Sequence, residues 1–219
     1  MARALSLFYP LVTPYVLGAP NPMIDQALLY SAGELCRESH IVQEIATQNV
    51  VAGQQDYDVD VPNGFQLSAV ITVWHGDAEL NPAGPSEVHP GTAARGAVGD
   101  IAVPTGSPST FYQKIPTDPV ISLWPVPDTA MAGGLAVRAA FEPSASATTL
   151  ADVLFDTYAY EVMYGAVAYL ANLPGQTFSN VEVGKRFNRM FDDALMKMRM
   201  TAKFGQMRRS VRVQARRFA

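Results

Sequence analysis

The clearest hydrophobic pattern lies in the last third of the chain, where apolar residues recur every three or four positions. This spacing places them on one face of a helix, and it predicts an amphipathic helix over roughly 179–204. Its apolar positions are Val183, Phe187, Met190, Phe191, Ala194, Leu195 and Met198. A second stripe predicts a helix over roughly 150–172, closed by Pro174-Gly175. Its members are Leu150, Leu154, Tyr158, Val162, Gly165, Ala166 and Tyr169.

Capping signals precede both of these helices. Thr149 is followed three residues later by Asp152, and Ser179 is followed in the same way by Glu182. Each pair fits a capping box, in which the two side chains satisfy backbone N–H groups of the first helical turn. The two pairs therefore predict where the two helices begin.

A third helix is predicted near the start of the chain. Asn21 is a good N-cap, and Pro22 is tolerated at the first helical position because its missing N–H needs no partner there. The apolar spacing that follows predicts a helix over 22–38. The preceding apolar stretch, Leu5–Leu17, is interrupted by two prolines, and we interpret it as an extended segment of the mature protein.

The pattern changes to a period of two in the middle of the chain. Tyr57, Val59 and Val61 alternate with three aspartates, which is typical of a strand with one buried face. Turn signals and prolines divide the rest into short β-branched segments. Strands are predicted at Gln66–Trp74, Thr110–Lys114, Val120–Trp124 and Leu135–Phe141. Several short strands separated by turns favour a small antiparallel sandwich or barrel.

Two stretches give no clear period, namely 41–45, for which no element is predicted, and 81–108, which is interpreted as a long loop. The pattern as a whole predicts an α+β protein, a helical bundle with an inserted β-rich sandwich or barrel and an extended C-terminal arm. The predicted units are an N-terminal segment with the first helix (1–40), a β-rich module (41–146), a helical hairpin (147–205) and a basic arm (206–219).

The apolar faces of the helices should pack together as the core of the bundle. The small residues Gly165 and Ala166 would let a neighbouring helix approach closely. The residues expected in this core are Leu154, Tyr158 and Val162 on one helix and Phe187, Phe191 and Leu195 on the other.

Composition adds constraints on the class of protein. The chain has 219 residues, 48% of them hydrophobic, which is enough for a real core. Only 16% are charged, and such a lightly charged surface suits a subunit that buries much of itself in an assembly. The single Cys36 excludes an internal disulfide framework and a cysteine-based zinc finger. The absence of a long uninterrupted apolar run argues against a transmembrane helix and a membrane partner.

Charge is distributed unevenly. Residues 185–219 contain eleven basic and two acidic residues, a net charge of +9, whereas residues 1–184 carry −13. A basic tail is typical of a contact with nucleic acid, with an acidic protein or with an anionic membrane, although a solvated helix face with a frayed end remains an alternative. Interleaved apolar side chains favour a protein groove for the arm, because phosphate binding does not need them. The candidate binding residues are Arg208, Arg209, Arg212, Val213, Arg216, Arg217 and Phe218.

The sequence contains few of the patterns that carry chemistry. Its three histidines are far apart, and it has neither a Gly-x-Ser-x-Gly nor a His-Glu-x-x-His motif. The glycine-rich stretch Gly91–Gly99 lacks the Gly-Lys-Ser/Thr that holds phosphates. Asp56, Asp58 and Asp60 lack the glycine and glutamate that complete a calcium loop. We therefore predict no enzyme activity, no cofactor and no metal site.

The chain contains an ordered series of short motifs. They include Val51-Ala52-Gly53, Gly106-Ser107-Pro108, Phe111-Tyr112, Ile121-Ser122-Leu123-Trp124-Pro125-Val126-Pro127-Asp128, Leu135-Ala136-Val137-Arg138, Glu142-Pro143-Ser144 and Leu173-Pro174-Gly175. In its order and spacing this series resembles the head-to-tail adaptor (connector) proteins of tailed bacteriophages, the family that includes the tail tubular protein A type. One departure is Phe178, where such adaptors often have tryptophan before the helix cap.

The resemblance implies a structural role at the head–tail interface of the virion. Such adaptors form a dodecameric ring beneath the portal, extend the DNA channel and give the tail a platform. The implied partners are copies of the chain itself, the portal protein, a tail tube or nozzle protein and, without sequence specificity, the DNA in the channel. In this setting the arm is expected to bind the portal or a neighbouring subunit, and the β-rich module and the 81–108 loop are expected to supply the contacts with the tail.

Two other classes stay open at this point. The first is a nucleic-acid-binding module that uses the basic tail, which salt-dependent DNA binding by residues 180–219 would indicate. The second is another virion protein of the neck or a decoration protein. A capsid-associated hydrolase is a further alternative, which a convergent acid–base or metal cluster in the folded chain would revive.

Overall fold

The computed structural model describes residues 2–84, 104–115 and 117–204, with side chains described up to residue 200. It confirms a mixed α+β fold with several helices and a curled sheet. The helices are α1 Tyr9–Val12, α2 Asn21–Ser39, α3 Asp152–Asp156, α4 Ala159–Ala171 and α5 Val181–Phe204. The strands are β1 Ala2–Ala4, β2 Gln43–Val50, β3 Asp56–Asp58, β4 Phe65–His75, β5 Ala78–Pro82, β6 Thr105–Gly106, β7 Thr110–Gln113, β8 Val120–Trp124, β9 Val126–Pro127, β10 Met131–Pro143 and β11 Thr149–Ala151.

The main sheet has seven strands in the order β2-β10-β4-β5-β7-β8-β3 and curls into a half-barrel. The long strand β10 pairs antiparallel with β2 on one side and with β4 on the other. The pair β5–β7 is parallel, so the sheet is mixed rather than purely antiparallel as its short strands suggest. The strands β2 and β3 lie at the two edges. Two smaller pairs, β1–β11 and β6–β9, lie outside this sheet.

Two hydrophobic clusters occupy the molecule. The helical cluster joins the N-terminal turns to α2, α3, α4 and α5, and fully buried members include Phe8, Leu28 and Leu170. The sheet cluster lies against one face of the curled sheet and includes Ile121 and Leu135. Contacts of α2 with β10 and β4 join the two parts.

The N-terminal segment is helical, and the expectation of an extended Leu5–Leu17 was wrong. A 3₁₀ turn at Leu5–Phe8, helix α1 and a second 3₁₀ turn at Thr13–Tyr15 follow one another. Each of the two prolines lies in the first turn of its element, where the missing N–H has no helical partner. The segment buries Leu5, Phe8 and Val12 in the helical cluster, which compensates for the short length of its turns.

The predicted helix over 150–172 is divided into two. Thr149 belongs to strand β11, and α3 begins after Ala151 without a side-chain capping bond, so the predicted capping box is absent. The chain leaves helical geometry at Tyr158, which precedes α4. Pairing of β11 with β1 competes with helix formation here, because it satisfies the backbone groups of Thr149 in a sheet.

The predicted cap of the last helix lies one residue away from the observed one. Asn180 Oδ1 accepts bonds from the backbone N–H groups of Glu182 and Val183, both at 3.2 Å. Ser179 Oγ instead donates to the carbonyl of Ala171, which ties the helix entrance to the end of α4. Asparagine and serine are both good N-caps, and the contact with α4 decides between them.

Helix α2 extends one residue beyond the predicted 22–38 at each end. Pro20 occupies the N-cap position and makes no side-chain bond there, so Asn21 is the first helical residue rather than the cap. His40 ends the helix in the left-handed conformation, with φ of 48°. The chain then turns into β2, a strand that the mixed polar and apolar pattern of residues 41–45 did not predict.

Strands β5 and β6 enter the two ends of the predicted 81–108 loop, at Pro82 and at Thr105–Gly106. Residues 85–103, which form most of that loop, lie outside the described part of the chain. The predicted end of the last helix at Gly205 and the arm 206–219 also lie outside it.

Candidate partner-binding surfaces

The residues that the sequence assigns to the bundle core lie together in the helical cluster. Tyr158 is half-buried and packs against the cluster from the residue before α4. The other five are at most 6% exposed: Leu154, Val162, Phe187, Phe191 and Leu195.

At Gly165 of α4, side chains of both α2 and α5 lie close against the helix backbone. A Cβ atom at this position would clash with Ser31 of α2 and with the ring of Phe191 of α5, so only glycine fits. The Ser31 hydroxyl donates a 2.7 Å hydrogen bond to the carbonyl of Val162, so this buried polar group has a partner between α2 and α4. The small residue therefore has the packing role that its place in the apolar stripe indicated.

A buried carboxylate connects the helical part to the sheet. Glu142 of β10 is only 2% exposed, and its Oε1 accepts a 2.6 Å bond from Gln66 of β4. Its Oε2 lies 2.9 Å from Nη2 of Arg37 on α2, close enough for an ion pair but outside hydrogen-bond geometry. Charge pairing across this junction favours one orientation of α2 on the sheet, because a buried carboxylate without a partner is unfavourable.

A cavity of about 690 Å³ lies where the end of α2 and the start of β2 meet α4 and α5. We call it the α5 groove. Tyr158, Tyr164 and Met198 provide apolar walls, and Glu161 and Lys197 provide charge. Beside it, Arg199 Nε of α5 donates a 2.7 Å bond to Glu38 Oε2 of α2. The C-terminal half of α5 therefore lies beside the start of β2.

A second concave surface, of about 330 Å³, lies on the first half of α5. Lys185, Arg186 and Arg189 line it together with Glu182 and Met190. Lysine and arginine side chains at successive turns form a basic helix face that suits an acidic partner or a phosphate backbone.

The edge strand β2 is largely exposed along its length. Every residue except Val50 is exposed or half-buried, and Ile45 is 56% exposed. In the described part of the chain β2 has a neighbour on one side only, strand β10. A long exposed edge is a template on which another strand can pair.

The described residues offer little for catalysis or for metal binding. They contain no group of three metal-ligating side chains, and none of their helices is long and apolar enough to cross a membrane. Burial, reinforced by the Glu142 carboxylate, raises the pKa of the Cys36 thiol to about 12, which keeps it protonated and unreactive.

The comparison of this sequence with known families supports a structural role. The sequence model of the SU10 adaptor protein family matches residues 17–217. The chain belongs to this family. No curated protein matches it in sequence.

Membership in the SU10 adaptor family makes the chain a structural adaptor protein of a phage and a component of the virion. It also implies interaction with other phage head and tail proteins. The match covers both the helical and the β-rich parts, and it includes the basic C-terminal residues. The surfaces described above are therefore candidate contacts within a virion.

The candidate binding residues of the arm lie outside the described part of the chain: Arg208, Arg209, Arg212, Val213, Arg216, Arg217 and Phe218. The sequence did not single out the α5 groove or the edge strand β2. The groove unites residues from four elements, so no local pattern signals it. The sequence of β2 shows no alternation of polar and apolar residues, because the strand is exposed on both faces and needs no apolar face.

Proposed function

We propose that twelve copies of this SU10 adaptor family member form a closed ring that joins the portal to the tail and lines part of the DNA channel. Family membership carries this proposal, because an adaptor must contact the head on one side and the tail on the other. The motif series also supports the finer assignment to the tail tubular protein A type. A ring of identical subunits requires two different surfaces on each subunit that match and close by rotation.

The charge distribution supports a place around a channel. The body of the chain, residues 1–184, carries −13, and an acidic lining would repel the phosphate backbone and keep DNA from adhering during passage. The opposite sign of residues 185–219 suits attachment to an acidic protein surface.

Large apolar side chains at the surface support burial in an assembly. Leu17 is 74% exposed, Met196 is 65% exposed and Tyr160 is 60% exposed. Met196 and Tyr160 lie on α5 and α4, the helices that border the α5 groove. Exposed side chains of this size are typical of interface residues, since methionine and tyrosine are enriched there.

The decisive experiment measures the particle that the purified chain forms, alone and with a portal. Native mass spectrometry gives its mass, and electron microscopy gives its symmetry. A particle of twelve copies on the portal axis would support the proposal. A monomer that remains unbound in the presence of portal would contradict it.

The loop around residues 81–108 is proposed to contact the tail, because its Gly-, Pro- and Ala-rich sequence connects strands of the β-rich part. Deleting residues 84–99 should leave helical content and ring formation unchanged and should block tail attachment. A deletion within Leu5–Leu17, whose turns pack into the helical cluster, provides a contrasting variant that should destabilise the fold. Infectious particles with normal tails after removal of 84–99 would contradict this assignment.

The basic face of α5 keeps a second function open, that of a DNA-binding module. If Lys185, Arg186 and Arg189 bind phosphates, DNA affinity should fall steeply with salt concentration. Substituting all three with glutamine should then abolish DNA binding. If instead the variant loses portal binding and the wild type shows no DNA affinity at physiological salt, the adaptor function is favoured.

A further inference from the structure

We infer that residues 210–216 of one subunit add as an antiparallel strand to the edge strand β2 of the neighbouring subunit. The inference rests on the proposed ring, and it names a specific contact between its subunits. It starts from the exposed edge of β2, the position where α5 ends and the pattern of residues 210–216.

The sequence after α5 has the pattern of a strand. Val211, Val213 and Ala215 alternate with Arg212, Gln214 and Arg216 without interruption. A period of two places the apolar residues on one face of an extended chain and the polar residues on the other. The five residues 205–209 separate this segment from α5.

The two faces of β2 have the matching chemistry. Ile45 is paired with Arg138 of β10, and the side chains of Gln43 and Thr47 share its face. Glu44 is paired with Ala139 and points to the opposite face, where the described residues offer it no ion-pair partner. An added strand would place its valines beside exposed Ile45 and an arginine beside Glu44.

The end of α5 indicates that the added strand comes from another subunit. Lys197 and Met198 of α5 line the α5 groove together with Gln43, the first residue of β2. The strand β2 has eight residues and is about 26 Å long at ~3.3 Å per residue. Beyond Met198, the last six residues of α5 add about 9 Å and residues 205–209 add at most about 18 Å. Even a fully extended connection in the same subunit therefore only equals the length of β2, and it leaves no residues to reverse the chain direction at Val50.

An antiparallel strand must enter from the far end, at Val50. Antiparallel pairing is the more stable arrangement per residue, and the arm of the same subunit can pair only in parallel. An arm from the adjacent subunit has no such restriction. Exchange of arms between neighbours is also a head-to-tail contact, which closes into a ring when the rotation between subunits permits.

Disulfide formation tests the contact directly. Cys36 is fully buried, so introduced cysteines are the accessible thiols of the full-length chain. Three double variants each combine Thr47→Cys with one substitution in the arm: Val211→Cys, Val213→Cys or Ala215→Cys. Each variant is assembled on the portal and oxidised. We expect at least one of them to give a series of disulfide-linked dimers, trimers and larger oligomers. Thr47→Cys with Gln214→Cys is the matched control and should give none, because the two side chains lie on opposite faces.

The possible outcomes separate this inference from the proposed ring, because native mass reports the ring and cross-linking reports the contact. A full ring without any ladder overturns the inference and leaves the ring intact. Cross-links within a single chain, or to the portal, also overturn it. Failure to form a ring with the wild-type chain overturns the proposed function and this contact with it.

A charge reversal supplies a second readout. Glu44→Lys should weaken subunit association roughly threefold to tenfold for each arm, because it replaces an attraction to arginine by repulsion. Glu79→Lys on β5 is the control, since Glu79 is exposed and lies on a strand away from β2 in the sheet order. Equal effects of the two variants, or none from Glu44→Lys, would show that the arm does not bind at β2.

Discussion

At the scale of single residues, the packing around Gly165 determines how closely the three long helices approach. Phe191 fills the space beside this glycine and is 6% exposed. Phe191→Ala should lower the free energy of unfolding by roughly 3–5 kcal/mol, because it removes a large buried ring and leaves a cavity. Met196→Ala on the same helix should change it by less than about 0.5 kcal/mol, since Met196 is exposed. Chemical denaturation of the two variants measures both values, and a loss under about 1 kcal/mol for Phe191→Ala would place that ring at the subunit surface.

Cys36 provides a second test at this scale. Its thiol should not react with a disulfide reagent at pH 8 until the chain unfolds, because burial raises its pKa to about 12. In the unfolded chain the same thiol ionises near its ordinary pKa of 9.0. The associated stability is therefore complete below pH 9 and is lost as pH rises towards about 12. Stoichiometric reaction of the native protein within minutes would show that Cys36 is accessible.

At the scale of elements, tertiary contacts decided where each helix begins. The apolar spacing predicted α5 to within two residues, yet the cap is Asn180 and not Ser179. Local sequence could not choose between them, because both side chains can accept the same backbone bonds. The choice follows from Ala171, whose carbonyl accepts bonds from the Ser179 hydroxyl and from the Asn180 backbone.

The observed cap predicts a specific loss. Asn180→Ala should lower the free energy of unfolding by about 1 kcal/mol, since two backbone N–H groups lose their acceptor. Asn180→Asp keeps an acceptor and adds negative charge at the helix N-terminus, so it should preserve the stability. Thermal unfolding of the two variants checks the difference. Equal losses would show that the side chain at 180 does not act through the cap.

At the scale of the whole molecule, the basic arm is expected to contribute to assembly but not to folding. Ending the chain at Gln206 should leave a folded protein with an unchanged melting temperature, because among the side chains that the structure describes, up to residue 200, the last member of the two clusters is Met198. The shortened protein should bind the portal much more weakly, since it loses the basic arm that links neighbouring subunits into the ring that the portal binds. Binding to immobilised portal measures this. Undiminished affinity would remove the arm from the interface.

The sequence by itself determined the α+β class, the helices α2 and α5, the burial of the apolar stripes and the close packing at Gly165, and its motif series indicated a phage adaptor. These features depend on the periodicity and the size of residues that are close together in sequence, so they can be predicted without knowledge of tertiary contacts. Only the tertiary structure decided that β2 is an exposed edge, that β5 and β7 pair in parallel and that the N-terminal segment is helical. The physical reason is that strand neighbours are set by residues far apart in the chain, such as Ile45 and Arg138, and the short N-terminal turns are stabilised by burial in a cluster that distant helices complete.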